Sequence, residues 1–229
     1  MSANKPKNAE VDVERRTYDV TEIRAGENDG KPVIEGYAAV FNEYSGDLGG
    51  FVEIIDPGFF DEVIDGDCRS LWNHDPNMIL GRTLAGTLEI KQDEKGLYQR
   101  TYPPVVEPDA TSWAKDALVS IRRGDVTQQS FAFRVKSTWR GDAVDGDEWY
   151  VVGDLVVRRL KKGGCKELLD VSPVVYPAYP QTSVSASTRS RFDQFQESIR
   201  GQAPSDGQQA KWQEPLDSLQ RRLALNSQD

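Results

Sequence analysis

The sequence predicts an α+β fold that is mainly β, and three features of the chain indicate it. Short runs rich in β-branched and aromatic residues alternate with turn signals up to about residue 180. One segment, residues 110–123, carries apolar residues at helical spacing. After Pro180 the composition shifts to Ser, Gln, Asp and Arg. We therefore expect a flexible arm over residues 1–14, one folded domain over residues 15–180, and a tail over residues 181–229 that is disordered or helical.

Composition excludes several classes of function. The 28 Lys and Arg are outnumbered by 37 Asp and Glu, which gives a formal net charge of -9. Because broad contact with a nucleic-acid backbone needs clustered cations, we expect no nucleic-acid partner. No run approaches the ~18 apolar residues of a membrane span, and the N-terminus lacks an apolar signal core, so we expect no membrane partner and no secretion.

Two cysteines and one histidine limit the chemistry further. Cys68 and Cys165 fit reduced thiols better than a disulfide framework in a chain of this length. His74 is the sole histidine, so the three residues together cannot supply an ordinary zinc site. We expect neither a metal nor a cofactor.

The first half of the chain is predicted to form strands and hairpins. Residues 15–23 and 33–41 flank an Asn-Asp-Gly turn and are expected to pair, and residues 51–55 resume the sheet. Asp56-Pro57 resembles a helix start, which predicts a helix to about Ile64. Residues 86–92 and 97–102 form a second predicted hairpin, with Gly96 as a left-handed turn residue.

The second half adds a helix and further strands. A helix over residues 110–123 should end at Gly124, because glycine is the usual residue after a helix C-terminus. Strands follow over residues 128–137, 148–152, 154–160 and 168–176. Pro173 suggests that the last of these is an edge strand or is bulged. In the tail, two weakly amphipathic stretches carry Phe192 and Trp212 respectively.

Two residues are candidates for proton and nucleophile chemistry. His74 follows a short predicted strand, residues 69–73, and is the natural carrier of a proton near neutral pH, although a lone histidine is more often a hydrogen-bonded structural residue. Ser130 lies in a strand whose alternation places Phe131 and Phe133 on one face and Ser130 on the other. A histidine base and a serine nucleophile can be distant in sequence and adjacent in the fold.

Five stretches taken together resemble a known family. They are residues 36–41 (GYAAVF), 56–60 (DPGFF), 71–75 (LWNHD), 129–133 (QSFAF) and 169–174 (LDVSPV). In this order they resemble the tailed-phage prohead proteases, which are related to herpesvirus assemblin. The resemblance implies a capsid-maturation serine protease with a herpesvirus-protease-like β-barrel surrounded by helices.

The resemblance also implies roles for particular residues. It makes His74 the general base and Ser130 the nucleophile, and it places Asp170 where related phage proteases often carry an acidic residue. A carboxylate there would hold the imidazole in the productive tautomer. Asp75 and Glu167 remain alternatives for this third role, and a dyad of Cys68 with His74 is a further one. Arg158-Arg159 resembles an arginine pair of assemblin, but a solvated cationic strand edge is the simpler interpretation.

The expected function is an endopeptidase that acts in the host bacterial cytoplasm, inside the immature capsid. Its substrates would be capsid and scaffold proteins, and it would form a homo-oligomer. The alternatives are a catalytically silent scaffolding protein of the same fold and a serine esterase. We further expect self-cleavage in residues 181–190, at Ala186-Ser187, because a Ser- and Gln-rich run should lack hydrogen-bonded structure.

Overall fold

The computed structural model describes residues 12–17, 23–106, 108–153, 155–176 and 184–200. These residues form twelve β-strands and two α-helices, which confirms an α+β fold that is mainly β. The helices are α1, Ser112–Arg123, and α2, Ala186–Ile199. In chain order the strands β1 to β12 are Glu14–Thr17, Ile23–Asn28, Lys31–Val40, Val52–Ile55, Arg69–Leu71, Ile79–Arg82, Leu88–Gln92, Gly96–Thr101, Gln128–Val135, Asp147–Val152, Leu155–Leu160 and Cys165–Val174.

The described strands form three sheets. The five-stranded sheet has the order β1-β9-β12-β5-β6, the four-stranded sheet β2-β3-β8-β7, and the three-stranded sheet β10-β11-β4. The first sheet is mixed, because β12 runs antiparallel to β9 and parallel to β5. The strands on which the candidate residues lie, or which they follow, are β9, β12 and β5, and these three are neighbours.

The predicted β-barrel surrounded by helices is not what the described residues show. Their strands form three open sheets, and two α-helices accompany them. Backbone hydrogen bonds outside the twelve strands connect the sheets to one another. The Asn42 amide donates to the Ile55 carbonyl at 2.9 Å, and the Ile23 amide donates to the Thr127 carbonyl at 3.3 Å.

All three sheets contribute to one main hydrophobic core. Phenylalanine pairs define its centre: Phe59 packs edge-to-face on Phe133 with ring centroids 5.8 Å apart, and Phe60 on Phe131 at 5.7 Å. Such geometry is the favoured one for aromatic pairs. Because Phe131 and Phe133 fill the core from β9, the alternate residues of β9 face the opposite side of the sheet, as predicted.

The helix predicted from Asp56 to Ile64 is wrong. The segment is a series of tight turns, in which the Phe59 amide donates to the Asp56 carbonyl and the Val63 amide to the Phe60 carbonyl. Gly58 explains the failure, because its φ of 85° lies in the left-handed region and cannot continue a right-handed helix. The turns bring Phe59 and Phe60 together into the core.

The second hairpin and helix α1 are confirmed. Strand β7 pairs antiparallel with β8, and α1 ends at Gly124 with a φ of 83°. The role expected for Gly96 is wrong, since Gly96 is not among the described glycines with positive φ. It is required by close packing instead, because a Cβ there would lie 2.0 Å from the carbonyl oxygen of Ala39.

Strand β12 is central and bulged, so only one of the two alternatives for Pro173 is confirmed. Its pairing with β9 shifts register between Cys165 and Glu167 and again between Leu168 and Asp170. Each shift inserts an unpaired residue and reverses which face the following side chains occupy. Cys165, Leu168 and Val171 consequently all reach the core, at a spacing of three.

Helix α2 lies in the predicted tail and packs on the folded body. Phe192 is buried against Phe51 and Trp149, and the Arg189 guanidinium donates to the carbonyls of Leu48 and Gly49. Ser185 caps the helix by accepting a hydrogen bond from the Thr188 amide. The expectation that residues 181–190 lack hydrogen-bonded structure is therefore wrong from residue 186 onward. The second amphipathic stretch, with Trp212, lies outside the described residues.

The interpretation of Arg158 as part of a solvated strand edge is wrong. Arg158 is 1% exposed and donates to Glu14, Glu53 and Asp147 at 2.7–3.0 Å. Arg16 is equally buried and donates to Glu14 and Glu53. Strand β1 is therefore attached to the body through charges. This attachment is not predictable from the pattern of residues, because β-strand alternation does not distinguish a buried arginine from an exposed one.

No helix among the described residues is long and apolar enough to cross a membrane.

Candidate active site

The polar face of the five-stranded sheet brings three of the site residues together. Ser130 on β9 is the direct antiparallel partner of Ser172 on β12, so their side chains share a face. Asp170 lies two residues before Ser172 on the same strand and points the same way. The register shift after Leu168 makes this possible, because Leu168 enters the core and Asp170 turns to the opposite face.

His74 reaches this face from the loop after β5. Its ring Nδ1 lies 2.6 Å from Asp170 Oδ1, which is a hydrogen bond in which the ring N–H donates to the carboxylate. The side chains of His74 and Asp170 are 11% and 8% exposed. Burial of a pair this close strengthens the interaction, since little water competes for either partner. Because Asp170 binds Nδ1, the other ring nitrogen, Nε2, is the one that is available to accept a proton.

Ser172 is the residue of this site that sequence reasoning missed. Its hydroxyl donates to the same Asp170 Oδ1 at 2.5 Å, so that one oxygen accepts from both the serine and the histidine. Ser172 belongs to the motif over residues 169–174, to which the family resemblance assigns a role for Asp170 alone. The signal was present, because residues two apart on a strand lie on the same face.

Two atoms of the candidate site, Ser130 Oγ and His74 Nε2, are buried and make no hydrogen bond to the described residues. Ser130 is fully buried, and neither Ser130 Oγ nor His74 Nε2 has a hydrogen-bond partner among the described residues. Buried polar atoms are normally paired, so such orphans are expected where a substrate or a catalytic contact completes the bonding. In this structure the two atoms are not hydrogen-bonded to each other. Catalytic hydrogen bonds often tighten only when substrate binds.

The alternative residues lie in other environments. Asp75 accepts from the amide and side chain of Asn77 and so stabilises its own turn. Glu167 is ion-paired with Arg134. Burial, reinforced by the charge of Asp170, raises the pKa of the Cys68 thiol far above its usual range, which disfavours the thiolate that a Cys68-His74 dyad needs. The structure thus brings Asp170, and neither of the other two carboxylates, to His74.

Other features of the described residues lie apart from this site. A cavity of about 310 Å³ is lined by α2, Arg140 and Arg158, and none of the three candidate residues borders it. No group of three or more metal-binding side chains occurs among the described residues.

The arrangement supports one kind of chemistry. A serine hydroxyl becomes a nucleophile when a base takes its proton, and a histidine held by a carboxylate through Nδ1 is such a base. A histidine so held, and a buried serine on the same sheet face as its carboxylate partner, are the groups from which serine hydrolases build their active sites. Fold and site therefore define a candidate serine hydrolase built on a mixed β-sheet.

Comparison with known families identifies the chain more closely. The sequence profile described as caudovirus prohead serine protease matches residues 18–197, and the chain belongs to that family. Its members are serine proteases of capsid maturation in tailed bacteriophages. The matched region extends across α2 almost to its end. No curated protein and no solved structure is significantly similar to the chain.

Proposed function

We propose that this protein is the serine endopeptidase that cuts capsid and scaffold proteins during capsid maturation, with Ser130 as nucleophile, His74 as general base and Asp170 as the residue that orients the imidazole. The single observation that carries the proposal is the 2.6 Å contact of His74 Nδ1 with Asp170 on the sheet face that also holds Ser130. Family membership supplies the reaction class.

The proposed reaction follows from this geometry. Ser130 Oγ attacks the scissile carbonyl carbon while His74 Nε2 takes the hydroxyl proton. Asp170 stabilises the imidazolium so formed and keeps the Nδ1 proton in place. His74 then returns the proton to the leaving amine, and an acyl-enzyme ester remains on Ser130. A water deprotonated by His74 hydrolyses this ester and regenerates the serine.

The setting of the reaction is also part of the proposal. We infer that the protease acts inside the immature capsid, in the host bacterial cytoplasm, and that it works as a homo-oligomer. Self-cleavage stays a prediction. A cut at Ala186-Ser187 would require the first turn of α2 to unwind, because these residues begin the helix and Ser187 hydrogen-bonds to Asp12. Extended backbone is what a protease binds, so the docked helix opposes this cut.

One observation favours the alternative of a catalytically silent assembly protein. Ser130 is fully buried, and its hydroxyl does not contact His74 Nε2 in this structure. A silent protein could keep the fold and the His74–Asp170 pair without ever aligning the serine.

Coexpression with the capsid protein distinguishes an active protease from a catalytically silent assembly protein. The chain, or its Ser130→Ala variant, is produced together with the matching capsid protein, and both proteins are analysed by intact mass spectrometry. We expect shortened capsid protein with the wild type alone. Ser172→Ala is the matched control, because it removes the same hydroxyl from the cross-strand partner and should still cut, although more slowly. Full-length capsid protein in every sample would support the silent alternative.

A further inference from the structure

The loop that carries His74 has an unusual backbone. Asn73 and His74 are consecutive non-glycine residues with φ of 54° and 60°, both in the left-handed region. Single residues visit this region at a cost, and asparagine tolerates it better than most. Strain of this kind persists only where surrounding contacts hold it, and it concentrates at functional sites.

Asn73 makes two hydrogen bonds that hold this backbone conformation. Its backbone amide donates to the Pro173 carbonyl at 3.0 Å, and its side-chain Oδ1 accepts from the Val175 amide at 2.8 Å. Both partners lie at or just beyond the end of β12, the strand that also carries Asp170. The His74 loop is therefore fixed to one strand at three points, through Pro173, Val175 and the carboxylate of Asp170.

From this we propose that Asn73 is a positioning residue: its side-chain oxygen, bound to the Val175 amide, holds the left-handed Asn73-His74 turn so that the imidazole binds Asp170 through Nδ1 and keeps Nε2 available to Ser130. The inference rests on the proposed function for its catalytic consequence. It concerns the orientation of the ring and not contact with substrate.

The expected size of the effect follows from geometry. Displacement of a catalytic group by about 1 Å can lower a rate by ~100-fold. Loss of positioning acts on the chemical step, so kcat should fall while KM stays near its wild-type value. Asn73 is exposed, so variants at this position should still fold.

Three substitutions separate the contributions of Asn73. Asn73→Asp keeps an oxygen acceptor and tolerance of the left-handed region, and it should retain kcat within about tenfold. Asn73→Gly removes the acceptor but relieves strain, and Asn73→Ala removes the acceptor and keeps strain. Both should lose roughly 100-fold in kcat. Asn42 is the matched control, because it is also exposed and left-handed, with a φ of 58°, and the Asn42→Ala variant should keep wild-type kcat.

A second measurement does not depend on turnover. His74 is the sole histidine, so a protein labelled with ¹⁵N-histidine gives one set of imidazole signals. The wild type should show a downfield Nδ1 proton held by Asp170, Asn73→Asp and Asn42→Ala should keep it, and Asn73→Gly should lose or broaden it.

The outcomes are decisive in either direction. Selective loss of kcat and of the Nδ1 signal in Asn73→Gly and Asn73→Ala supports the proposal. Wild-type kcat with an unchanged signal in Asn73→Gly overturns it, as does an equal loss in Asn42→Ala. If the wild type itself cuts no capsid protein, the proposed function fails, and the Nδ1 signal alone then decides whether Asn73 positions His74.

Discussion

Two serines face each other across β9 and β12, and they provide a matched test of the nucleophile. Ser130 and Ser172 are both fully buried on the same sheet face. We expect Ser130→Ala to lower kcat/KM by about 10,000-fold, the usual effect of removing a triad member. Ser172→Ala removes one hydrogen bond to Asp170 and should cost about tenfold, the equivalent of ~1.4 kcal/mol. Steady-state cleavage of a capsid-protein peptide measures both, and the reverse order would make Ser172 the nucleophile.

The carboxylates near His74 allow a similar comparison. Asp170→Asn should lower kcat by about 10,000-fold with little change in fold, because an amide at this position favours the wrong imidazole tautomer. Asp75→Asn is the control, since Asp75 bonds to Asn77 and not to His74. A large loss in Asp75→Asn with an active Asp170→Asn would transfer the orienting role to Asp75.

Some of these residues are predictable from the sequence and others are not, for physical reasons. Alternation along β9 predicted the face of Ser130, because that strand keeps one phase throughout. Alternation along β12 fails at Leu168, where a bulge reverses the phase, so periodicity alone does not predict that Leu168 and Asp170 lie on opposite faces. The left-handed pair at Asn73 and His74 is also invisible to periodicity, since it depends on contacts with a strand about a hundred residues later.

At the scale of elements, β11 presents two arginines with different environments. Arg158 is buried among Glu14, Glu53 and Asp147, while Arg159 is partly exposed and binds Asp56 and Glu148. Removal of one partner from a buried ion network leaves uncompensated charge, so Arg158→Met should destabilise the fold by ~3–5 kcal/mol. Arg159→Met should cost about 1 kcal/mol or less. Urea denaturation measures the difference, and equal costs would contradict the buried network.

Helix α2 is connected through the same network to the strand beside Ser130. Thr188 of α2 donates to Glu14 of β1, and Thr17 at the other end of β1 is the partner of Ser130. Phe192→Ala removes the main apolar contact of α2 and should lower stability by ~3 kcal/mol. Asp193→Ala, on the exposed side of α2, should change little. Protease-resistance and thermal unfolding assays compare the two, and an unchanged Phe192→Ala variant would show that α2 is not part of the folded unit.

At the scale of the whole molecule, the buried charges predict sensitivity to acid. Burial alone would raise the pKa of Glu14, but the guanidiniums of Arg158 and Arg16 outweigh it and hold the pKa at about 2, below the usual 4.5. A carboxyl with a lowered pKa in the folded state stabilises the fold above its unfolded pKa. That stabilisation should be lost as pH falls from about 4.5 toward 2. Urea midpoints across this range measure the loss, and constant midpoints would contradict it.

Covalent trapping of the nucleophile tests whether Ser130 is the residue that His74 activates. A fluorophosphonate reacts with a serine that a neighbouring base activates. The full chain is treated with the reagent and then digested, and peptide mass mapping locates the adduct. We expect one adduct, on Ser130, that disappears in His74→Ala and persists in Asn42→Ala. An adduct on Ser172 or elsewhere, or equal labelling of Ser130 without His74, would contradict it.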